Sequence, residues 1–108
     1  MKILFDQGTP APLRSSLAGH DVKTAYECGW QELENGDLLA TAEIDGFEVL
    51  VTTDQNLRYQ QNLAQRRIAI VVLSTTDWRR IRRHTQLVAD ALDGIASGVF
   101  IEVSIPAS

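Results

Sequence analysis

The chain has 108 residues and a formal charge of −4, enough for one domain around one core. Its 44% apolar content is that of an ordinary globular protein, and its acidity argues against coating nucleic acid by bulk charge, though not against a local basic face. A single cysteine, Cys28, excludes an internal disulfide and points to a reducing compartment or a neutral buried thiol.

Lys2 to Phe5 reads as a short apolar strand that reaches an acid at Asp6, too soon for a signal peptide. No apolar run approaches the ~20 residues that span a bilayer, so a cytoplasmic protein is expected. Thr9 is a suitable N-cap and Pro10 suits a first helical turn, predicting a helix through Leu13 and Leu17 that stops near Gly19. A second short strand centres on Val22, followed by an irregular stretch from Tyr26 to Glu34 anchored by Trp30. Asn35, Gly36 and Asp37 open a second helix with Leu38, Leu39 and Ala42 on one face, and Gly46 closes it.

Phe47 to Thr52 is a β-branched, aromatic run of the kind buried on both faces in a parallel sheet. It ends abruptly in Thr52, Thr53, Asp54, Gln55 and Asn56. A polar helix is expected from Gln55 to Arg66, with Leu57, Tyr59 and Leu63 inward and Gln60, Gln61 and Asn62 near the site. Ile68 to Leu73 is a second apolar strand. Asp77 is placed to cap the longest expected helix, Trp78 to Ile95, whose apolar stripe is Trp78, Ile81, Val88, Ala91, Leu92 and Ile95. Gly98 leads into a last strand, Val99 to Ile105, with the alternation of an edge position.

Strands alternating with helices predict an α/β fold, a three-layer α/β/α arrangement around a mostly parallel sheet of about five strands. The first strand is expected beside the third, with the second and last toward the edges. Ligands of such sheets bind beyond the carboxyl ends of the strands. Asp6 and Asp54 end two central strands, and Asp37 opens a helix that starts at the same edge, with Glu34 as a substitute or fourth member. Carboxylates without histidine or cysteine partners select hard cations, Mg²⁺ or Mn²⁺, which can activate water for phosphodiester hydrolysis. Thr52 or Thr53 could position a carboxylate or a phosphate, and Gly8 lets backbone approach that edge. Taken singly, each acid reads more readily as a helix cap or a solvated loop charge; taken as three at one predicted edge, they point to a metal site.

The chain resembles the PIN-like superfamily, most closely its small DUF5615 branch related to the Mut7-C domain. The resemblance spans Ile3 to Ala25 (ILFDQGTPAPLRSSLAGHDVKTA), Asn35 to Glu43 (NGDLLATAE) and Phe47 to Leu57 (FEVLVTTDQNL). The family pattern has an acid ending strand one, an acid opening the middle helix and T-x-D after the central strand; Asp6, Asp37, and Thr52 with Asp54 match it. The resemblance implies a metal-dependent ribonuclease, a hydrolase often found as the toxin of a toxin–antitoxin pair, with Asp6, Asp37 and Asp54 as catalytic and metal-binding residues. The commoner first motif is D-E-N, whereas Gln7 and Gly8 follow Asp6 here. The commoner last motif has a second acid where this chain has Asn56. Two carboxylates are thus amides, which lowers metal affinity; Gln7, Thr52, Thr53 and Asn56 are left as substrate-positioning candidates.

Arg66, Arg67, Arg79, Arg80, Arg82, Arg83 and His84 gather much of the positive charge. Arg79, Arg82 and Arg83 can share a helix face and contact an RNA backbone, although cations at a helix N-terminus oppose its dipole. His20 and Trp78 read as structural. Two functions compete: an endoribonuclease whose partners are RNA and an antitoxin protein, and a non-catalytic PIN-like module that binds protein or RNA, as a homodimer or with a partner. A phosphatase or nucleotide-binding protein is weaker, since the chain has neither a P-loop nor G-x-G-x-x-G.

Overall fold

The computed structural model describes residues 1–57 and 63–107. Five strands form one sheet: β1 (Lys2–Phe5), β2 (Asp21–Thr24), β3 (Val49–Thr52), β4 (Ala69–Leu73) and β5 (Phe100–Val103). Their order is β2-β1-β3-β4-β5, and every neighbouring pair is parallel. The expected adjacency of the first and third strands, with the second and last strands at the edges, is therefore present. The chain reverses its direction of winding between β1 and β3, which makes their carboxyl ends the topological switch point.

Burial explains why β3 and β4 are apolar without alternation. Ile3, Phe5, Val49, Val51, Ala69, Val71 and Leu73 share one core with Leu13, Leu17, Ile81, Val88 and Leu92. Leu4, Leu50, Ile70 and Val72 share the other with Leu38, Leu39, Ala42 and Phe47. Both faces are covered, so successive residues must both be apolar, and each such side chain contributes roughly 1.5–3 kcal/mol by burial. α1 (Asn35–Ile44) covers the second face with the three residues expected of it, and Gly46 takes up a φ of +88° after its end. No helix among the described residues is long and apolar enough to cross a membrane.

Two expected helices differ. Ala11–Ser16 is a 3₁₀ segment, not an α-helix, with Leu13 N–H on Pro10 O at 3.1 Å and Leu17 N–H on Arg14 O at 3.1 Å. Thr9 does not cap it, because its hydroxyl is committed to β3 and Asp6. Six residues ending in two serines hold too little helix propensity to extend a full α-turn against that anchor.

The long helix expected from Trp78 to Ile95 is two helices, α2 (Trp78–Ile81) and α3 (Thr85–Leu92). Between them Arg83 N–H and His84 N–H bond three residues back, to Arg80 O and Ile81 O. Asp77 caps α2 as expected, accepting from Arg79 N–H at 2.9 Å. In a single turn the first and last turns coincide, so Arg79 and Arg80 are set by their partners, Asp77 for Arg79 and the chain beyond β5 for Arg80. Arg80 also holds the carbonyls of Ile105 (2.8 Å) and Pro106 (3.3 Å), tying α2 to the chain beyond β5.

The helix expected over Gln55–Arg66 falls partly outside the described residues, as do Tyr59, Gln60, Gln61 and Asn62. Before and after those residues, Leu57 is buried and Leu63 packs against the second core.

At the amino end of the sheet Glu43, with its side chain 12% exposed, locks α1 to the segment entering β4. It pairs with Arg66 at 2.7 Å and accepts from Arg67 N–H at 2.6 Å and Ile68 N–H at 3.2 Å. Burial raises its carboxyl, but these hydrogen bonds and the Arg66 charge together hold it below the ordinary glutamate value. The stabilisation is complete above that ordinary value and is lost as pH falls through the lower folded one. Glu43→Gln is expected to cost about 1–2 kcal/mol at pH 7, with the deficit narrowing toward pH 3 in urea titrations.

Candidate functional site

The register sets the site. Phe5 lies opposite Val51, so Asp6 and Thr52 leave the sheet side by side, with Asp6 N–H on Val51 O at 3.2 Å. Thr52, 1% exposed, joins the two acids: its hydroxyl donates to Asp6 Oδ2 and accepts from Asp54 N–H at 3.0 Å. Thr9 holds the other oxygen of Asp6 at 2.7 Å, and the same hydroxyl lies 2.8 Å from Val51 O. Burial pushes the Asp6 carboxyl above the usual aspartate range, and the hydrogen bonds from Thr52 and Thr9 offset this only in part.

Asp54 is oriented from both sides. Asn56 N–H donates to its Oδ1 at 2.9 Å, and Asn35 Nδ2, from the first residue of α1, donates to its Oδ2 at 2.8 Å. Gly8 closes the approach, since a Cβ there would run into Thr53 Oγ1. Gln7 donates to Gln31 O at 2.9 Å, and Gln55 donates to Leu73 O at 2.5 Å, bracing the loop after β3 against β4.

The structure thus brings together Asp6, Thr52 and Asp54, with Thr53 against Gly8 and Gln7 beside Asp6. Asp37 is an exposed residue in the first turn of α1, and Glu34 is that helix's exposed N-cap. Among the described residues, no group of three His, Cys, Asp or Glu side chains is placed to share an ion. Two residues join the site that the sequence reading had assigned elsewhere. Thr9 looked like a helix cap and Asn35 like a helix opener; the spacing of Thr9 three residues after Asp6 is the one local signal for its real partner.

The basic residues do not form one patch. Arg66 and Arg67 precede β4, at the amino end of the sheet, while Arg79 to Arg83 follow it, at the carboxyl end. Arg79 lies 3.6 Å from Asp77, Arg82 caps the end of α2, and Arg83 lies beyond it, so the three do not share one continuous helix. Cys28 is half-buried, and burial raises its thiol, consistent with the expected neutral form.

Asp6 and Asp54 are oxygen donors of the kind a hard cation takes, and their oxygens here accept hydrogen bonds from Thr52, Thr9, Asn56 N–H and Asn35. Mg²⁺ is commonly held by one or two carboxylates with water and substrate phosphates completing its shell. The site opens on both sides of Asp6. A cleft of about 190 Å³ is lined by Asp6, Gln7, Trp30 and Asn35. A wider one of about 720 Å³ runs past Asp6, Arg14, Tyr26 and Trp78. Compared with family models, curated proteins and solved structures, the chain matches none.

Proposed function

We propose that the protein is a metal-dependent endoribonuclease of PIN-like type, acting as the toxin of a toxin–antitoxin pair. The observation that carries this reading is the Asp6–Thr52–Asp54 unit at the switch point of a parallel sheet, with Asp6 lining two clefts. Asp6 and Asp54 would hold Mg²⁺ or Mn²⁺, which when bound supplies a nucleophilic water and charge stabilisation at a phosphodiester. Thr52 and Thr9 aim the Asp6 carboxylate, and Asn35 and Asn56 aim that of Asp54. Asp37 would contribute from the rim of α1, and Arg79, Arg82 and Arg83 would contact the RNA backbone.

A second reading, a non-catalytic PIN-like binding module, is favoured by one observation: the Asn35 amide and the Asn56 backbone N–H already engage both oxygens of Asp54. The two readings separate in a Mn²⁺ titration followed by NMR line broadening, beside a cleavage assay on mixed RNA. Broadening centred on Asp6 and Asp54, with divalent-dependent cleavage, is the expected result. Absence of localised broadening at millimolar metal, with intact RNA, would leave the binding module.

A further inference from the structure

Beside Asp6 the wider cleft has a feature that metal binding does not use. Tyr26 is 73% exposed, yet it stands on a well-braced turn directly after β2. Ala25 N–H donates to Phe5 O at 2.8 Å, Cys28 N–H to Thr24 O at 3.2 Å and Gly29 N–H to Tyr26 O at 3.0 Å. The backbone that carries Tyr26 is thus held, and its side chain is mostly exposed, just after the strand next to the one that ends in Asp6. Trp78 lines the same cleft while part of its side chain packs on the first core. Thr24, Thr76 and Gln7 add polar groups to the wall.

The charges in the cleft argue against a bare anion as its ligand. Arg14 is already paired with Glu27 at 2.8 Å, and Asp6 adds a further acid. Aromatic surface, neutral hydroxyls and an amide instead suit a flat, uncharged ring with a polar edge. The volume of about 720 Å³ lies within the range of small-ligand pockets, roughly 300–1,000 Å³.

Resting on the nuclease reading, we infer that this cleft is a subsite for one unpaired nucleobase, stacked on Tyr26 with Trp78 supplying further aromatic surface, next to the phosphate-handling acids. A base inside a duplex is stacked and paired and cannot enter without being extruded, so the subsite selects single-stranded nucleic acid. Stacking of this kind tolerates any base, because every base has a π-face.

The test is fluorescence anisotropy of a labelled eight-nucleotide RNA with the full chain in EDTA, where cleavage plays no part, using the strand alone and annealed to its complement. The Trp78 indole resonance is followed by NMR during the same titration. Tyr26→Ala is expected to weaken single-strand binding by roughly five- to hundredfold, Tyr26→Phe to retain it, and the indole to shift. Equal binding by wild type and Tyr26→Ala, equal affinity for single and annealed strands, or no binding of the single strand would each overturn the inference. The ring is mostly solvent-exposed, so both variants should keep the wild-type melting curve. Tyr26-dependent binding without cleavage in any divalent ion would sink only the nuclease reading. Metal-dependent cleavage with Tyr26-independent binding would sink only the subsite.

Discussion

Asp6→Asn is expected to remove cleavage while leaving the metal-free protein as stable as before, or more so, at neutral pH. Burial disfavours the ionised Asp6 carboxyl and raises it above the ordinary range. For an acid shifted upward, the folded state gains relative stability below the unfolded value and loses it as pH rises through the folded one. Above its raised folded value the wild type therefore carries an unfavourable, partly buried charge that an amide of the same shape does not. The surroundings accept the amide. Thr52 can still donate to its oxygen, and its NH₂ group can donate to Thr9, whose own proton then goes to Val51 O at 2.8 Å. If Asp6 holds the proposed metal, its loss should lower cleavage by about a hundredfold or more. Urea titrations at pH 4 and pH 8 provide the check. The wild type should lose stability relative to the variant across that interval. A variant that is less stable at both values would mean that Asp6 is a structural residue and not a destabilised functional one.

Thr52→Val is expected to do the opposite, destabilising the fold by about 2–4 kcal/mol. The valine keeps the shape and β-branching that suit β3, so packing should change little. What is lost is a buried hydroxyl with two partners. One is an oxygen of Asp6 and the other is Asp54 N–H, and each orphaned group costs roughly 1–3 kcal/mol. Thr52→Ser keeps the hydroxyl and should recover most of the loss. Chemical denaturation of the three proteins separates these outcomes; a valine variant as stable as wild type would mean that Thr9, Asn35 and Asn56 N–H hold the two acids without it. Any cleavage should fall in parallel with the valine variant, because Asp6 and Asp54 lose their shared brace.

The two predictions share one cause. Asp6 and Asp54 carry like charge and are tied together by a threonine that belongs to the sheet. The fold pays for that placement with a partly buried carboxylate, which is the pattern expected where geometry is kept for chemistry and not for stability.

Much of the architecture was legible in the residues themselves. Phe47 to Thr52 and Ile68 to Leu73 are apolar without alternation, and only a strand covered on both faces tolerates that. Leu38, Leu39 and Ala42 recur at helical spacing, so α1 and its buried face followed directly. Asp6 and Asp54 each end such a strand, and parallel pairing then places them at one edge whatever the details of the loops. Other features were set by contacts between distant segments and left no local signature. Thr9 has the composition of a helix cap, yet it is drawn to Asp6 and Val51 because β3 lies beside β1. Asn35 opens a helix, but only the packing of α1 over the sheet brings its amide to Asp54. The stripe from Trp78 to Ile95 has a continuous period, and its division into α2 and α3 goes with the three-residue bonds at Arg83 and His84 and with the carbonyls after β5 that hold Arg80. The sequence by itself determined the strands, the order of the layers and the edge at which the acids gather, because burial on two faces is written in every residue of a strand. Only the tertiary structure decided which acids share a brace, which lie apart and where the clefts open, because those follow from single hydrogen bonds across tens of residues of chain.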